Sequence, residues 1–183
     1  MSTALLLMDF QRSVVSRFGN ADVVAKAAQA LAVARDHDLP VIFVRVAFRP
    51  GLTEASPLNK TFNRETREGT GFTDDDPSTQ IIEDLAPRDN EIVMVKRRVG
   101  AFSGTDLDVV LRAGGVDHLV LGGIATSGVV VSTVRLAADR DFRITVLADA
   151  CSDGDEEVHR VLTEKVFPRQ ADVTSVDAWA DLL

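Results

Sequence analysis

At 183 residues with 45% hydrophobic content, the chain is ample for one domain with a full core and short for two. Its 20 Lys and Arg against 28 Asp and Glu leave a formal charge of -8, a field that opposes encounter with nucleic acid or an anionic membrane surface. A lone cysteine, Cys151, excludes an intrachain disulfide and suits a reducing interior, so the cytoplasm is the default compartment.

The first predicted element is a strand over 4–8, five apolar residues stopped by Asp9. That run is too short to span a membrane, and it lacks the basic start and cleavage region of a secretory signal. An amphipathic helix follows over 22–36, then a β-branched strand over 41–46. From 47 to 77 no periodicity holds, yet the stretch carries Arg49, Arg64, Arg67, Phe48, Phe62 and Phe72 among glycines and prolines. A loop of this length reads either as a lid or binding loop or as a polar surface loop with anchoring phenylalanines. Beyond it the pattern resumes. Helices are predicted over 78–84, 105–113, 126–139, 155–167 and 175–182, and strands over 92–95, 118–121, 144–147 and 171–174. Alternation of this kind predicts an α/β fold of three layers, a mainly parallel six-stranded sheet covered by helices on both faces. With no repeats, low-complexity tracts or linkers, residues 1–183 read as a single domain. The acidic runs at 74–76 and 153–157 lack the ligand spacing of a calcium loop and read as solvated.

Strand ends are where ligands gather in such folds, and three of them are suggestive. Asp9 follows the first strand, where an unpaired carboxylate would be costly and its pKa would rise unless a cation stood nearby. Lys96 closes another buried strand and is the natural partner. In a plainer reading Asp9 caps a turn and Lys96 reaches solvent, but the occurrence of both at equivalent strand ends favours a pair. The third strand end is Gly122-Gly123-Ile124-Ala125-Thr126-Ser127-Gly128-Val129, a tight turn into a helix with amide N–H groups available to an anion or a developing oxyanion. It has neither the spacing of a dinucleotide fingerprint nor that of a P-loop.

Together these residues carry a resemblance. Leu7-Met8-Asp9-Phe10-Gln11, the segment from Lys96 to Leu107, Gly123-Ile124-Ala125-Thr126 onward and Ala148-Asp149-Ala150-Cys151 resemble, in order and spacing, the isochorismatase-like or cysteine hydrolase superfamily. The resemblance implies a six-stranded parallel sheet, dimers or higher oligomers, a non-proline cis peptide at Ile124 to Ala125, and a site using aspartate, lysine and usually cysteine. It also places the nucleophilic cysteine of the amidase members at Val129, which can neither ionise nor attack. Cys151 falls, on the same resemblance, after the fifth strand as a packing residue. Ser127 and Ser132 are nearby hydroxyls, but no histidine is placed by the sequence to activate either, and His37, His118 and His159 lie at element margins. The aspartate and histidine metal ligands of the nicotinamidase branch are missing where the chain reads Val46-Ala47-Phe48-Arg49.

The expectation is therefore a hydrolase acting by water, in the vinyl-ether manner of true isochorismatases, on a small carboxylate-bearing metabolite. Asp9 and Lys96 are the expected catalytic pair beside the vacant position of Val129. Gln11, Arg98, Ala125, Thr126, Ser127 and Gly128 are the expected substrate contacts. No metal and no cofactor are expected. The alternative is a catalytically silent relative that keeps the pocket to bind a metabolite or protein partner. The helix over 126–139 is rich in valine and alanine on most faces, which suits burial against the sheet or a subunit interface, and a homodimer or higher homo-oligomer is expected.

Overall fold

A computed structural model describes residues 2–63 and 72–183. Six strands form one sheet in the spatial order β3-β2-β1-β4-β5-β6, where β1 is Ser2–Met8, β2 Val41–Val46, β3 Ile92–Lys96, β4 Val116–Ile124, β5 Arg143–Ser152 and β6 Asp172–Thr174. Every neighbouring pair is parallel. The chain leaves β1 toward β2 on one side and returns to seat β4 on the other, so the direction of winding reverses between β1 and β4. In open parallel sheets the carboxyl ends of two strands at such a reversal are where ligands bind.

Both faces of the sheet are covered, as alternating strand residues require. One face packs Leu5, Leu7, Phe43 and Val120 against α2 (Ala21–Asp36) and α6 (Val176–Ala180), through Ala27, Ala30, Leu31 and Trp179. The other packs Leu6, Met8, Val44 and Leu121 against α3 (Leu107–Ala113) and α4 (Val131–Ala138), through Leu107, Leu111, Val134 and Ala137. Close approach of β1 and β4 depends on Gly123, where an added Cβ would lie 2.9 Å from the Met8 carbonyl oxygen.

Several elements differ from the expectation. A short helix α1 (Arg12–Phe18) follows Gln11 at once, too short to show a period. No helix spans 78–84. Asp76 caps a single 3-10 turn at Pro77–Thr79, and another turn forms at Glu83–Leu85, but between them Ile81 pairs with Gln11 in an antiparallel bridge that holds the backbone extended. The expected helix over 126–139 begins as a π turn, Thr126–Val130, before α4. The one over 155–167 divides into α5 (Glu156–Val161), a π turn at Leu162–Val166 and a 3-10 turn from Phe167. Cys151 sits inside β5 rather than after it, opposite Gly123 beyond a register shift.

The described part of the long loop is tied down. Phe48 meets Phe62 edge to face at 5.6 Å between ring centres, and both pack with Val46 and Leu52. Arg97 clamps the segment by donating to the Ala47 carbonyl at 2.6 Å and pairing with Asp74 at 2.7 Å. Arg64 and Arg67 lie outside the described residues.

Candidate active site

Asp9 leaves β1 in the left-handed region, φ 59°, a conformation that aspartate tolerates better than most side chains. Its amide donates to the Val44 carbonyl at 2.7 Å, which fixes the turn against β2. The carboxyl meets Lys96, whose Nζ donates to Asp9 Oδ2 at 2.8 Å. The strands they end are not neighbours, because β2 lies between β1 and β3, and the lysine stem reaches across the end of β2. Only a long side chain at 96 could close that gap. A second donation from Nζ reaches the Arg98 carbonyl at 3.2 Å.

Burial dominates the electrostatics of this pair. Asp9 is 6% exposed and Lys96 1%. Loss of hydration pushes the carboxyl above its ordinary value against the opposing pull of Lys96, and pushes the ammonium below its own against the pull of Asp9. Both groups are thus driven toward their neutral forms, with one proton shared between them. Asp9 Oδ1 is buried and has no hydrogen-bond partner among the described residues. Nearly all buried polar atoms are satisfied, so an orphaned carboxyl oxygen marks a place where a ligand atom or water belongs.

The turn after β4 faces the 96–99 segment. An added Cβ on Gly128 would lie 4.0 Å from Val99 Cγ1 and 4.0 Å from the Ala125 Cβ, contact without a clash. The peptide bond from Ile124 to Ala125 is cis. Of the turn amides, Gly128 donates to the Ala125 carbonyl at 3.0 Å and Ser127 to Asp153 Oδ2 at 2.6 Å. The amides of Ala125 and Thr126 donate to nothing among the described residues. Of the turn expected to hold an anion, only the first two amides are thus without a partner among the described residues. Val129 is 2% exposed and packs in the core cluster that contains Met8 and Val130.

Two of the expected contacts are engaged elsewhere. Gln11 is fully buried, its Nε2 donating to the carbonyls of Val46 at 2.8 Å and Thr79 at 2.7 Å while its Oε1 accepts from the Val46 amide. With both amide hydrogens committed, it splices β2 to the turn at Pro77–Thr79 and has no donor left for a ligand. The Arg98 guanidinium donates to the carbonyls of Glu54 and Arg97, and it lines a separate surface cavity of about 390 Å³ with Arg49, Arg97 and Ser103. Its carbonyl, not its charge, touches the lysine.

Two residues to which the sequence assigned no role at the site reach the turn. Asp153 takes the Ser127 amide, and His159, from α5, lies with Nδ1 2.8 Å from the buried Thr126 hydroxyl. Ser127 is exposed and meets no histidine. Cys151 is buried, and desolvation pushes its thiol up to about 12, far from a thiolate at neutral pH. Among the described residues no three His, Cys, Asp or Glu side chains gather as metal ligands would, and no helix is long and apolar enough to cross a membrane.

Comparison with known proteins bears on this arrangement as a whole. The isochorismatase domain model matches residues 3–178. An isochorismatase family protein of Bacillus subtilis is 34% identical over 167 residues, covering 91% of this chain and 86% of that one. The ureidoacrylate amidohydrolase of Methylobacterium radiotolerans is 32% identical, over 87% of this chain and 70% of its own. Among solved structures, an isochorismatase family protein from Desulfovibrio vulgaris superposes with a TM-score of 0.90 at 27% identity, over 99% of this chain and 97% of that one. An N-carbamoylsarcosine amidase from Thermoplasma acidophilum gives 0.79 at 25% identity, over 97% and 98%. A parallel sheet with Asp9 and Lys96 paired at its carboxyl edge, and a family model spanning almost all of the chain, show that this protein belongs to the isochorismatase family of hydrolases.

Proposed function

We propose that the protein hydrolyses a small carboxylate-bearing metabolite by direct attack of water, with Asp9 as the acid, rather than through a thiol. The observation that carries this reading is the buried Asp9–Lys96 pair with its orphaned Oδ1. An ionised, dehydrated oxygen with no donor would be expensive, whereas a protonated one has a proton to give. In a vinyl ether, Asp9 passes that proton to the terminal vinyl carbon. Water adds to the resulting oxocarbenium carbon, and the hemiketal releases an alcohol as its C–O bond breaks. The water oxygen ends as a ketone, and a proton returns to Asp9. Lys96, held on Oδ2, stabilises the carboxylate while its proton is away. The free amides of Ala125 and Thr126 suit the substrate's carboxylate. Val129 occupies the position that a nucleophile holds in the amidase members, and residues 1–183 act as one domain.

The amidohydrolase relatives favour amide or ureido substrates as a second reading, with the pair as base toward water. A panel of enol ethers, small amides and ureas, assayed with the parent, Asp9→Asn and Lys96→Met, tests both. Turnover confined to ethers and abolished by Asp9→Asn is expected. Absence of turnover on every class would leave a binding role for the pocket and refute hydrolysis. Val129→Cys adds a discriminating arm, since gain of amidase activity would show the surrounding machinery to be competent and only the thiol absent.

A further inference from the structure

Thr126 is fully buried, so its hydroxyl proton needs an acceptor inside the protein. The one partner of that hydroxyl among the described residues is His159 Nδ1, at 2.8 Å. Were Nδ1 protonated, the imidazole would donate and the threonine proton would be stranded in the core. Thr126 is therefore the donor, and the imidazole carries its proton on Nε2. This bond joins the first residue of one π turn to an α-helix that runs into another. Thr126 opens the π turn whose Val130 amide reaches back to the Ala125 carbonyl at 3.4 Å, and His159 precedes the π turn at Leu162–Val166. Such widened turns recur at functional sites. Asp153 grips the neighbouring Ser127 amide from the same segment of chain. Residues that follow β5 thus hold the turn by its Thr126 side chain and its Ser127 amide, and leave the Ala125 and Thr126 amides unengaged.

We propose that His159 is a positioning residue that acts through Thr126, latching the turn in the conformation that presents the free amides to substrate. The inference rests on the reading above that this turn holds an anion. His159 touches no reacting atom in this scheme, and its contribution is the geometry of the donors.

The test compares the parent with Thr126→Val, His159→Ala and His159→Asn. Valine keeps the shape of threonine, and asparagine offers an acceptor near the place of Nδ1. Hydrogen exchange at the Gly128 and Val130 amides, which close the turn, needs no substrate. We expect exchange there to accelerate about five- to tenfold in Thr126→Val and His159→Ala, as loss of one buried hydrogen bond implies. The double variant should be no faster than either single one, asparagine should restore protection, and β4 amides should be unchanged. Nitrogen NMR should find the parent imidazole protonated on Nε2. On any carboxylate-bearing substrate that the panel identifies, KM should rise in step with exchange while kcat changes less, because the amides hold the substrate's anion before and during the reaction. Unaltered exchange in Thr126→Val, or a proton on Nδ1 in the parent, overturns the latch. A parent without turnover would sink the hydrolytic reading alone, because exchange decides the latch independently.

Discussion

Replacing Lys96 with methionine keeps an unbranched stem in the core and removes the ammonium. The Asp9 carboxyl, 6% exposed, would then have no hydrogen-bond partner on either oxygen among the described residues. Uptake of a proton costs less than leaving a bare charge there, so folded Lys96→Met holds Asp9 neutral. Unfolded, the same carboxyl ionises with its ordinary value of 3.8. Each pH unit above that value costs about 1.4 kcal/mol, roughly 4 kcal/mol at pH 7 and roughly 1.5 kcal/mol at pH 5. The upper figure matches the ~3–5 kcal/mol typical of breaking a buried pair. A folded-state pKa raised in this way confers stability that is complete below the unfolded value and lost as pH rises. In the parent the pair binds one proton whether folded or unfolded, so its contribution is flat between pH 5 and 7. Urea unfolding at pH 5, 6 and 7 should show the deficit of Lys96→Met growing by about 1.4 kcal/mol per unit, and Asp9→Asn/Lys96→Met should abolish that slope. An equal deficit at all three pH values would mean that Asp9 stays ionised without its cation, and the burial argument would fail.

The contrasting environments of two glycines give a second prediction. Gly123→Ala, with its Cβ 2.9 Å from a β1 carbonyl oxygen, should lose about 2 kcal/mol or more, while Gly128→Ala, with nothing nearer than 4.0 Å, should stay within ~0.5 kcal/mol; thermal unfolding checks both. His118, wedged between Thr3 and Thr145, has its pKa lowered by burial and then by Arg143, against weaker opposition from Asp117 and Asp172. Its contribution is intact above the unfolded value of about 6.5 and fades as pH falls, by up to ~1.4 kcal/mol per unit, so His118→Gln should flatten the acid limb of a stability profile measured by urea titration. Cys151, buried with its thiol pushed up to about 12, should be silent to a thiol-specific reagent in the native protein and react fully in denaturant.

Strands and their order of use were legible in the sequence because both-faces burial writes a continuous apolar run, as at Leu5, Leu6 and Leu7. The short α1 was not, since seven residues with no buried side chain carry no period. Nor was the break near Ile81, which arises from a bridge to Gln11, seventy positions away along the chain. Asp9 and Lys96 could be nominated from their positions at strand ends, yet nothing in the string tells that β2 lies between their strands, because spatial order is a property of the sheet. The commitments of Gln11 and the Arg98 guanidinium depend on carbonyls, which have no letter in the sequence. The contact of His159 with Thr126 is hidden for a different reason: it crosses a gap of 33 positions that no spacing rule spans.

The seating of β2 between the two halves of the Asp9–Lys96 pair has a consequence for assembly. Lys96 stands in register with Val46, and side chains alternate faces along β3. A slip of that edge strand by a single residue would turn the ammonium to the opposite layer, stranding a cation among hydrocarbon and leaving its carboxylate alone. The buried Asp9–Lys96 pair thereby acts as a ruler for the ladder, and only a chain zipped correctly across three strands can bring its two members together.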